Sequence, residues 1–226
     1  MSRFSAAINR AVIPDIKCVS PKEGDLLRGR CPIETAQALV SWGAPALSVV
    51  TEQMHFNGSP ELLRSIAQQT GVPVLRKDFI KTPAQLEETL RLGASAVLLI
   101  AASVDEATLA MLYQAALQLG LEPLVEVCTA EEMQLANTLG AKLIGINNRN
   151  IMTLEHDNGG PARTAALASL APAGARLISE SGILTAEDAK LAIQASAHAI
   201  LVGTALWQAK DMAAAYQQLQ EAVHSA

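Results

Sequence analysis

A single-domain α/β fold, the (β/α)8 TIM barrel, is the architecture this sequence predicts, and three observations predict it. Short apolar runs alternate with amphipathic segments eight times along the 226 residues. The runs are continuously apolar, as in strands buried on both faces of a parallel sheet. Charged and amide side chains gather just after several of them, where such a barrel carries its chemistry. The unit recurs roughly every 25 to 30 residues with strand and helix signals alternating, which fits β/α alternation better than a solenoid. A doubly wound sheet is the alternative, but no G-x-G-x-x-G follows the first strand and eight units are many for it. No linker or low-complexity stretch interrupts the chain. One domain spans 1–226, with residues 1–11 a short segment ahead of the first strand.

Composition narrows the class. Half of the residues are apolar, enough for a large core at this length. The net charge is −5 and the 17 Lys and Arg are scattered, so no nucleic-acid footprint is expected. Cys18, Cys31 and Cys128 are odd in number and lack C-x-x-C spacing, suggesting neither a disulfide framework nor zinc. No apolar run approaches the roughly 18 residues of a membrane helix, and the first ten residues lack a signal-peptide core. A soluble cytoplasmic domain is expected.

The strands are placed at Val12–Lys17, Ala46–Thr51, Pro73–Arg76, Ala96–Ile100, Pro123–Val127, Leu143–Asn147, Arg176–Ser179 and Ala199–Val202. Helical patterns lie at Cys31–Trp42, Pro60–Thr70, Thr82–Leu92, Val104–Leu119, Ala130–Leu139, Ala162–Leu170, Thr185–Gln194 and Met212–Val223. Ser59-Pro60, Thr82-Pro83, Ser103 ahead of Glu106 and Thr129 ahead of Glu132 read as helix starts. Gly43, Gly71, Gly93, Gly120 and Gly140 read as helix ends. Phe4–Arg10 is long enough for one or two turns of helix.

In a barrel the residues after each strand face one another across one mouth. Alternation puts Asp15 and Lys17 on the same side of the first strand, pointing inward, where each needs a partner or a ligand. A structural ion pair is the alternative reading. The third strand delivers Lys77 and Asp78, which could also be solvated loop charges. Glu126 stands inside the apolar run Leu124-Val125-Glu126-Val127, so it must face a polar cavity or pay for burial unpaired. The sixth strand yields Asn147, Asn148 and Arg149. The seventh and eighth yield Ser179-Glu180-Ser181-Gly182-Ile183 and Val202-Gly203-Thr204-Ala205, small turns where barrels bind phosphate at helix N-termini. His55, His156, His198 and His224 stand outside these clusters and are given no role. No cluster resembles a metal site. Lys and Glu acting as acid and base on a phosphorylated small molecule remain.

The stretches Ile16-Lys17-Cys18-Val19-Ser20-Pro21-Lys22-Glu23-Gly24, Phe56-Asn57-Gly58-Ser59, Leu75-Arg76-Lys77-Asp78-Phe79-Ile80 and Leu124-Val125-Glu126-Val127 belong to a recognisable set. Asn147-Asn148-Arg149, Ser179-Glu180-Ser181-Gly182-Ile183 and Val202-Gly203-Thr204-Ala205-Leu206 complete it. In this order, from about Ile13 to Leu206, they resemble indole-3-glycerol phosphate synthase. The resemblance implies a lyase of tryptophan or related indole biosynthesis that uses no cofactor or metal. Its substrate would be 1-(2-carboxyphenylamino)-1-deoxyribulose 5-phosphate, closed to indole-3-glycerol phosphate with loss of CO2 and water. By the same resemblance, Lys77 matches the general acid that protonates the carbonyl oxygen. Glu126 matches the carboxylate that steadies the cationic intermediate and assists proton transfer, and Lys17 the partner of the substrate carboxylate. Asp15 stands at a carboxylate position. Asn147, Glu180 and Ser181 match polar positions around the substrate, and Arg149 a supporting one. Phe79 falls in a substrate-binding motif. Ser20, Gly182, Gly203 and Thr204 match phosphate contacts.

The chain departs from the family pattern at three places. Asp15 stands where Glu is usual, a change that draws the carboxylate back by about 1 Å, a distance that can cost about 100-fold in rate. Asn150 stands where Asp is typical. Only a short segment precedes the first strand where the family has a helical extension over the mouth, so a divergent member is expected, with monomer, homodimer or a partner subunit covering the mouth all left open. Two other readings are a barrel that binds a phosphorylated ligand without turnover, as a regulatory or partner subunit, and phosphoribosylanthranilate isomerase. The isomerase wants a Cys base at the first strand and an Asp acid at the sixth. Cys18 faces away from Lys17, and the sixth strand ends in Asn147.

Overall fold

The computed structural model describes residues 3–149 and 159–226. The chain opens with a single helical turn, α1 (Phe4–Ala7), and then enters β1 (Ala11–Ile16). A small hairpin, β2 (Val19–Ser20) and β3 (Gly24–Asp25), follows before α2 (Pro32–Ser41). Strands and helices then alternate: β4 (Leu47–Val50), α3 (Pro60–Thr70), β5 (Val74–Lys77), α4 (Pro83–Leu92), β6 (Ala96–Ile100), a 3₁₀ turn at Ala101–Ser103, α5 (Glu106–Gln118), β7 (Glu122–Val127) and α6 (Ala130–Leu139). The last units are β8 (Leu143–Asn147), α7 (Ala162–Ala168), β9 (Arg176–Glu180), α8 (Ala186–Gln194), β10 (Ala199–Val202), α9 (Thr204–Gln208) and α10 (Met212–Ser225).

Eight parallel strands close on themselves in the order β1-β10-β9-β8-β7-β6-β5-β4. The expected strands and helices are all present, most displaced by a residue or two at their ends. The hairpin and the short α9 were not expected, because two-residue strands and a five-residue helix carry no periodicity to read. Ser103 does not cap α5; its hydroxyl donates to Ile100 O, while the Asp105 carboxylate accepts from Thr108 N at 2.8 Å. The carboxylate wins because it accepts a charge-assisted bond at the helix N-terminus. Ser59 and Thr129 cap α3 and α6 as expected, and Gly71, Gly93 and Gly140 take left-handed conformations at the ends of α3, α4 and α6.

Alternation along each strand sorts the core into two layers. Ile13, Leu75, Leu98, Leu124, Ile178 and Leu201 fill the barrel, and Phe4 and Ile8 plug its N-terminal end. Ser5 N donates to the Glu122 carboxylate at the start of β7, so α1 closes the end opposite the catalytic mouth. The outward residues, such as Val12, Val49, Val74, Val97 and Ile144, pack against the helices. Among the described residues no helix is long and apolar enough to cross a membrane. Asn150 and His156, singled out above, lie outside the described residues.

Candidate active site

The inward residues of each strand's last turn stand above the apolar filling of the barrel. Lys77 ends β5, two residues beyond the inward Leu75, and its Nζ reaches into the mouth. There it donates to Glu126 Oε2 on β7 at 3.4 Å and to Glu180 Oε2 on β9 at 3.2 Å. Glu126 and Glu180 are both buried. Three strands thus deliver one ammonium and two carboxylates to one point.

Two carboxylates cannot both ionise cheaply beside a single cation in a dry site. Burial and the neighbouring Glu126 and Asp15 charges outweigh the pull of Lys77, so the Glu180 carboxyl is pushed up to about 8. Lys77 moves upward too: burial opposes its charge, but the fields of Glu180, Glu126 and Asp15 more than restore it. Among the described residues Glu180 Oε1 has no hydrogen-bond partner, and the space it occupies exists because residue 145 is glycine. A Cβ on Gly145 would collide with that oxygen.

Asp15 and Lys17 point inward, as alternation requires, and both line the mouth. Asp15 Oδ1 accepts from Ser48 Oγ at 2.6 Å, its register partner across β1 and β4. Lys17 Nζ stands 5.7 Å from the centre of the Phe56 ring, in cation–π range. Asp78, adjacent to Lys77, lines the mouth, but its carboxylate is engaged by Thr51 Oγ1 and by the buried Arg76 on the outer face of β5, from both of which it accepts. Asp78 is a brace for Arg76, which also donates to Glu88, Thr89 and Gln85 O of α4.

A cavity opens above this cluster, lined by Asp15, Lys17, Lys77, Phe79, Asn147 and Arg149 and by the backbone turns at Ser181, Gly182, Gly203 and Thr204. Phe56, Leu98, Ile183 and Leu184 give it apolar walls. Ser20 lies outside that lining, buried in the hairpin, where its hydroxyl accepts from Glu23 N. Ser181 is one of few non-glycine residues with positive φ, at 63°, and Gly182 follows at 68°. Gly203 sits against Asp15: a Cβ there would meet the Asp15 Cβ at 3.3 Å. Among the described residues Arg149 Nε is buried without a hydrogen-bond partner, although its backbone N–H donates to Asn147 Oδ1.

Sequence reasoning missed Ser48, Thr164 and Gly145 as parts of the site, and it named Asn148 in a strand-end cluster without giving it a role. A lone Ser within Leu47-Ser48-Val49-Val50 and a Gly within Leu143-Ile144-Gly145-Ile146 were the only local signals. The Cys18 thiol is pushed up by burial and by the Asp25 charge, the wrong direction for a base at neutral pH. His198 receives a bond from Leu177 N at the opposite end of the barrel. Among the described residues no group of three His, Cys, Asp or Glu could hold a metal ion.

The family model described as indole-3-glycerol phosphate synthase matches residues 3–219. The chain belongs to the indole-3-glycerol phosphate synthase family. Indole-3-glycerol phosphate synthase from Pyrococcus furiosus is 43% identical over 223 residues, covering 97% of each chain. The namesake from Carboxydothermus hydrogenoformans is 42% identical over 208 residues, which is 92% of this chain and 78% of that one. The family therefore includes relatives of nearly this length as well as longer ones. Among solved structures, 3-hexulose-6-phosphate synthase from Salmonella typhimurium superposes with a TM-score of 0.76 at 14% identity, over 95% of this chain and 99% of that one, a likeness of fold alone.

Proposed function

We propose that this chain closes 1-(2-carboxyphenylamino)-1-deoxyribulose 5-phosphate to indole-3-glycerol phosphate, with Lys77 as general acid. The observation that carries the reading is the Lys77 ammonium held between Glu126 and Glu180 at the floor of the mouth. Attack of the ring carbon on the carbonyl forms the new C–C bond and pushes an electron pair onto the carbonyl oxygen. Lys77 gives that oxygen its proton. The oxygen is strongly basic as an alkoxide, so an ammonium of raised pKa still surrenders a proton to it, and until then its fixed charge stabilises the oxygen electrostatically.

Positive charge appears on the ring and its nitrogen at the same moment. Glu126, buried beside Lys77, is the anion that meets it. Decarboxylation returns the C–CO2 bonding pair to the ring and restores its aromaticity. The new hydroxyl then takes up a further proton and leaves as water while the methylene beside the nitrogen gives a proton to Glu126, which forms the second ring's double bond. Lys17 pairs with the substrate carboxylate before that loss, and the apolar walls at Phe56, Phe79 and Leu184 face the aromatic ring. Asp15, Asn147, Glu180 and Arg149 hold polar groups of the ribulose chain. Ser181, Gly182, Gly203 and Thr204 receive the phosphate, as backbone turns before helices do. We place the enzyme in the cytoplasm, where its free thiols Cys18, Cys31 and Cys128 suit a reducing compartment.

The test is indole fluorescence on mixing the protein with the carboxyphenylamino-deoxyribulose phosphate, beside Lys77→Ala. Turnover that vanishes in the variant supports the assignment. Binding without product at high enzyme concentration overturns it and leaves a ligand-binding barrel.

A further inference from the structure

Behind the turn at Ser181 and Gly182 lies a buried polar network that the reaction itself does not use. Asn148 follows β8 and, unlike Asn147, turns its side chain away from the cavity. Its Nδ2 lies 2.9 Å from Ser179 Oγ and 3.0 Å from each of the Glu180 and Ser181 carbonyl oxygens. Its backbone N–H also donates to Glu180 O, at 2.8 Å. On the other side, Asn148 Oδ1 accepts from the backbone N–H and the hydroxyl of Thr164 in α7, at 3.2 and 2.9 Å. Thr164 Oγ1 and Ser179 Oγ close the ring at 2.7 Å. Asn148, Thr164 and Ser179 are all buried.

One amide thus ties together the end of β8, the end of β9 and the first turn of α7. What it holds is the costly conformation: Ser181 at φ 63° followed by Gly182 at φ 68°. A left-handed serine persists only where its surroundings over-determine it. The Ser181 carbonyl bonded to Asn148 fixes the plane of the Ser181–Gly182 peptide, and with it the direction of the Gly182 N–H. Arg163, beside Thr164, donates to Asn147 O at 3.0 Å and adds a second tie between α7 and β8.

We propose that Asn148, locked by Thr164, is the positioning residue of the phosphate-binding turn. This rests on the reading that Ser181 and Gly182 receive the substrate phosphate. Asn148 touches no substrate atom; it presets the peptide that does. Losing it lets the turn relax toward unstrained φ, so affinity for phosphate falls while the Lys77 chemistry stays in place.

The experiment compares Asn148→Ala, Thr164→Val and Thr164→Ser with the unaltered chain. Three quantities are read: KM and kcat, competitive inhibition by inorganic phosphate, and the rise in melting temperature that inorganic phosphate produces. Asn148→Ala is expected to raise KM and the phosphate inhibition constant together by about tenfold, with a smaller change in kcat, since sub-ångström misplacement costs a part of the ~100-fold of a full ångström. Thr164→Val is expected to raise both by a smaller factor, and Thr164→Ser, which keeps the hydroxyl, to restore them. Melting temperatures that fall while both constants stay at their original values overturn the proposal, because that is a structural role alone. Should Asn148→Ala fail to fold, the Thr164 pair decides by the same criterion. A chain that does not turn over the substrate sinks the synthase reading, and the melting shift with phosphate still tests this one. No shift in the unaltered chain overturns it.

Discussion

The Lys77 ammonium sits between two carboxylates, and in the proposed function the same ammonium serves the reacting oxygen. The Glu126 and Glu180 fields are what keep its charge in a buried place, so its removal takes away both a proton and a fixed positive charge. Lys77→Ala is expected to lower kcat by about 100- to 10,000-fold, read from indole fluorescence in single turnover. Gly145 is the neighbour whose lack of a side chain makes the arrangement possible. In Gly145→Ala the new methyl meets Glu180 Oε1 and drives that carboxyl off Lys77. A loss of about 100-fold in kcat/KM is expected, since a displacement near 1 Å is forced. An unchanged rate would show that Glu180 has no part in holding Lys77. Neither residue was equally visible beforehand. Lys77 announced itself as a charge at the end of an apolar run, whereas Gly145 is informative only once Glu180 is seen across from it.

At the scale of elements, each strand carries two messages on two faces. Strand β5 turns Leu75 and Lys77 inward and Arg76 outward, where Arg76 joins Thr51, Asp78, Glu88 and Thr89. This network holds α4 against the strand that presents Lys77. Arg76→Ala leaves Asp78 half-buried without its cation and is expected to destabilise the fold by about 3 kcal/mol in urea unfolding. The cap of α3 is a smaller and cleaner case. Ser59 Oγ accepts from Leu62 N at 3.0 Å, and Ser59→Ala is expected to cost about 1 kcal/mol. The existence of these helices was legible from caps, Gly ends and apolar spacing, because those signals are local. The hairpin β2–β3 and α9 were not legible, because they are held by distant partners: Trp207 Nε1 donates to Asp15 O at 2.8 Å, and Gln208 Nε2 to Glu23. The Arg30 guanidinium stacks 5.1 Å from the Trp207 ring and donates to its carbonyl.

For the whole molecule the buried cluster has a consequence for stability against pH. Glu180 has a carboxyl of about 8 in the folded chain against an ordinary value of 4.5. Between those values the native state holds a proton that the unfolded chain has released. Stability therefore falls as pH rises through that window. The melting temperature is expected to decline between pH 5 and 8, a window set by those two values. Glu180→Gln, which is neutral throughout, is expected to flatten the slope. A slope unchanged in the variant would assign the effect to other groups. Lys77 acts in the opposite range: its raised value adds stability that is full below its ordinary 10.5 and is lost only in strong alkali.

Local patterns in the chain are enough for the order and number of the eight barrel strands, for most of the helix caps and for which strand ends carry charge. These follow from periodicity and from residues a few positions apart, so no knowledge of the remote chain is needed. The inward direction shared by Asp15 and Lys17 was likewise a matter of alternation. Only the tertiary structure decided which charges meet. Lys77, Glu126 and Glu180 are separated by 49 and 103 positions from Lys77 and touch because closure of the barrel brings their strand ends together. The same closure engaged Asp78 with Arg76, gave Asp15 to Ser48, and put Asn148 behind the Ser181 turn. A hydrogen bond is directional and short-ranged, so its partner is fixed by three-dimensional register, which no local pattern in the chain encodes.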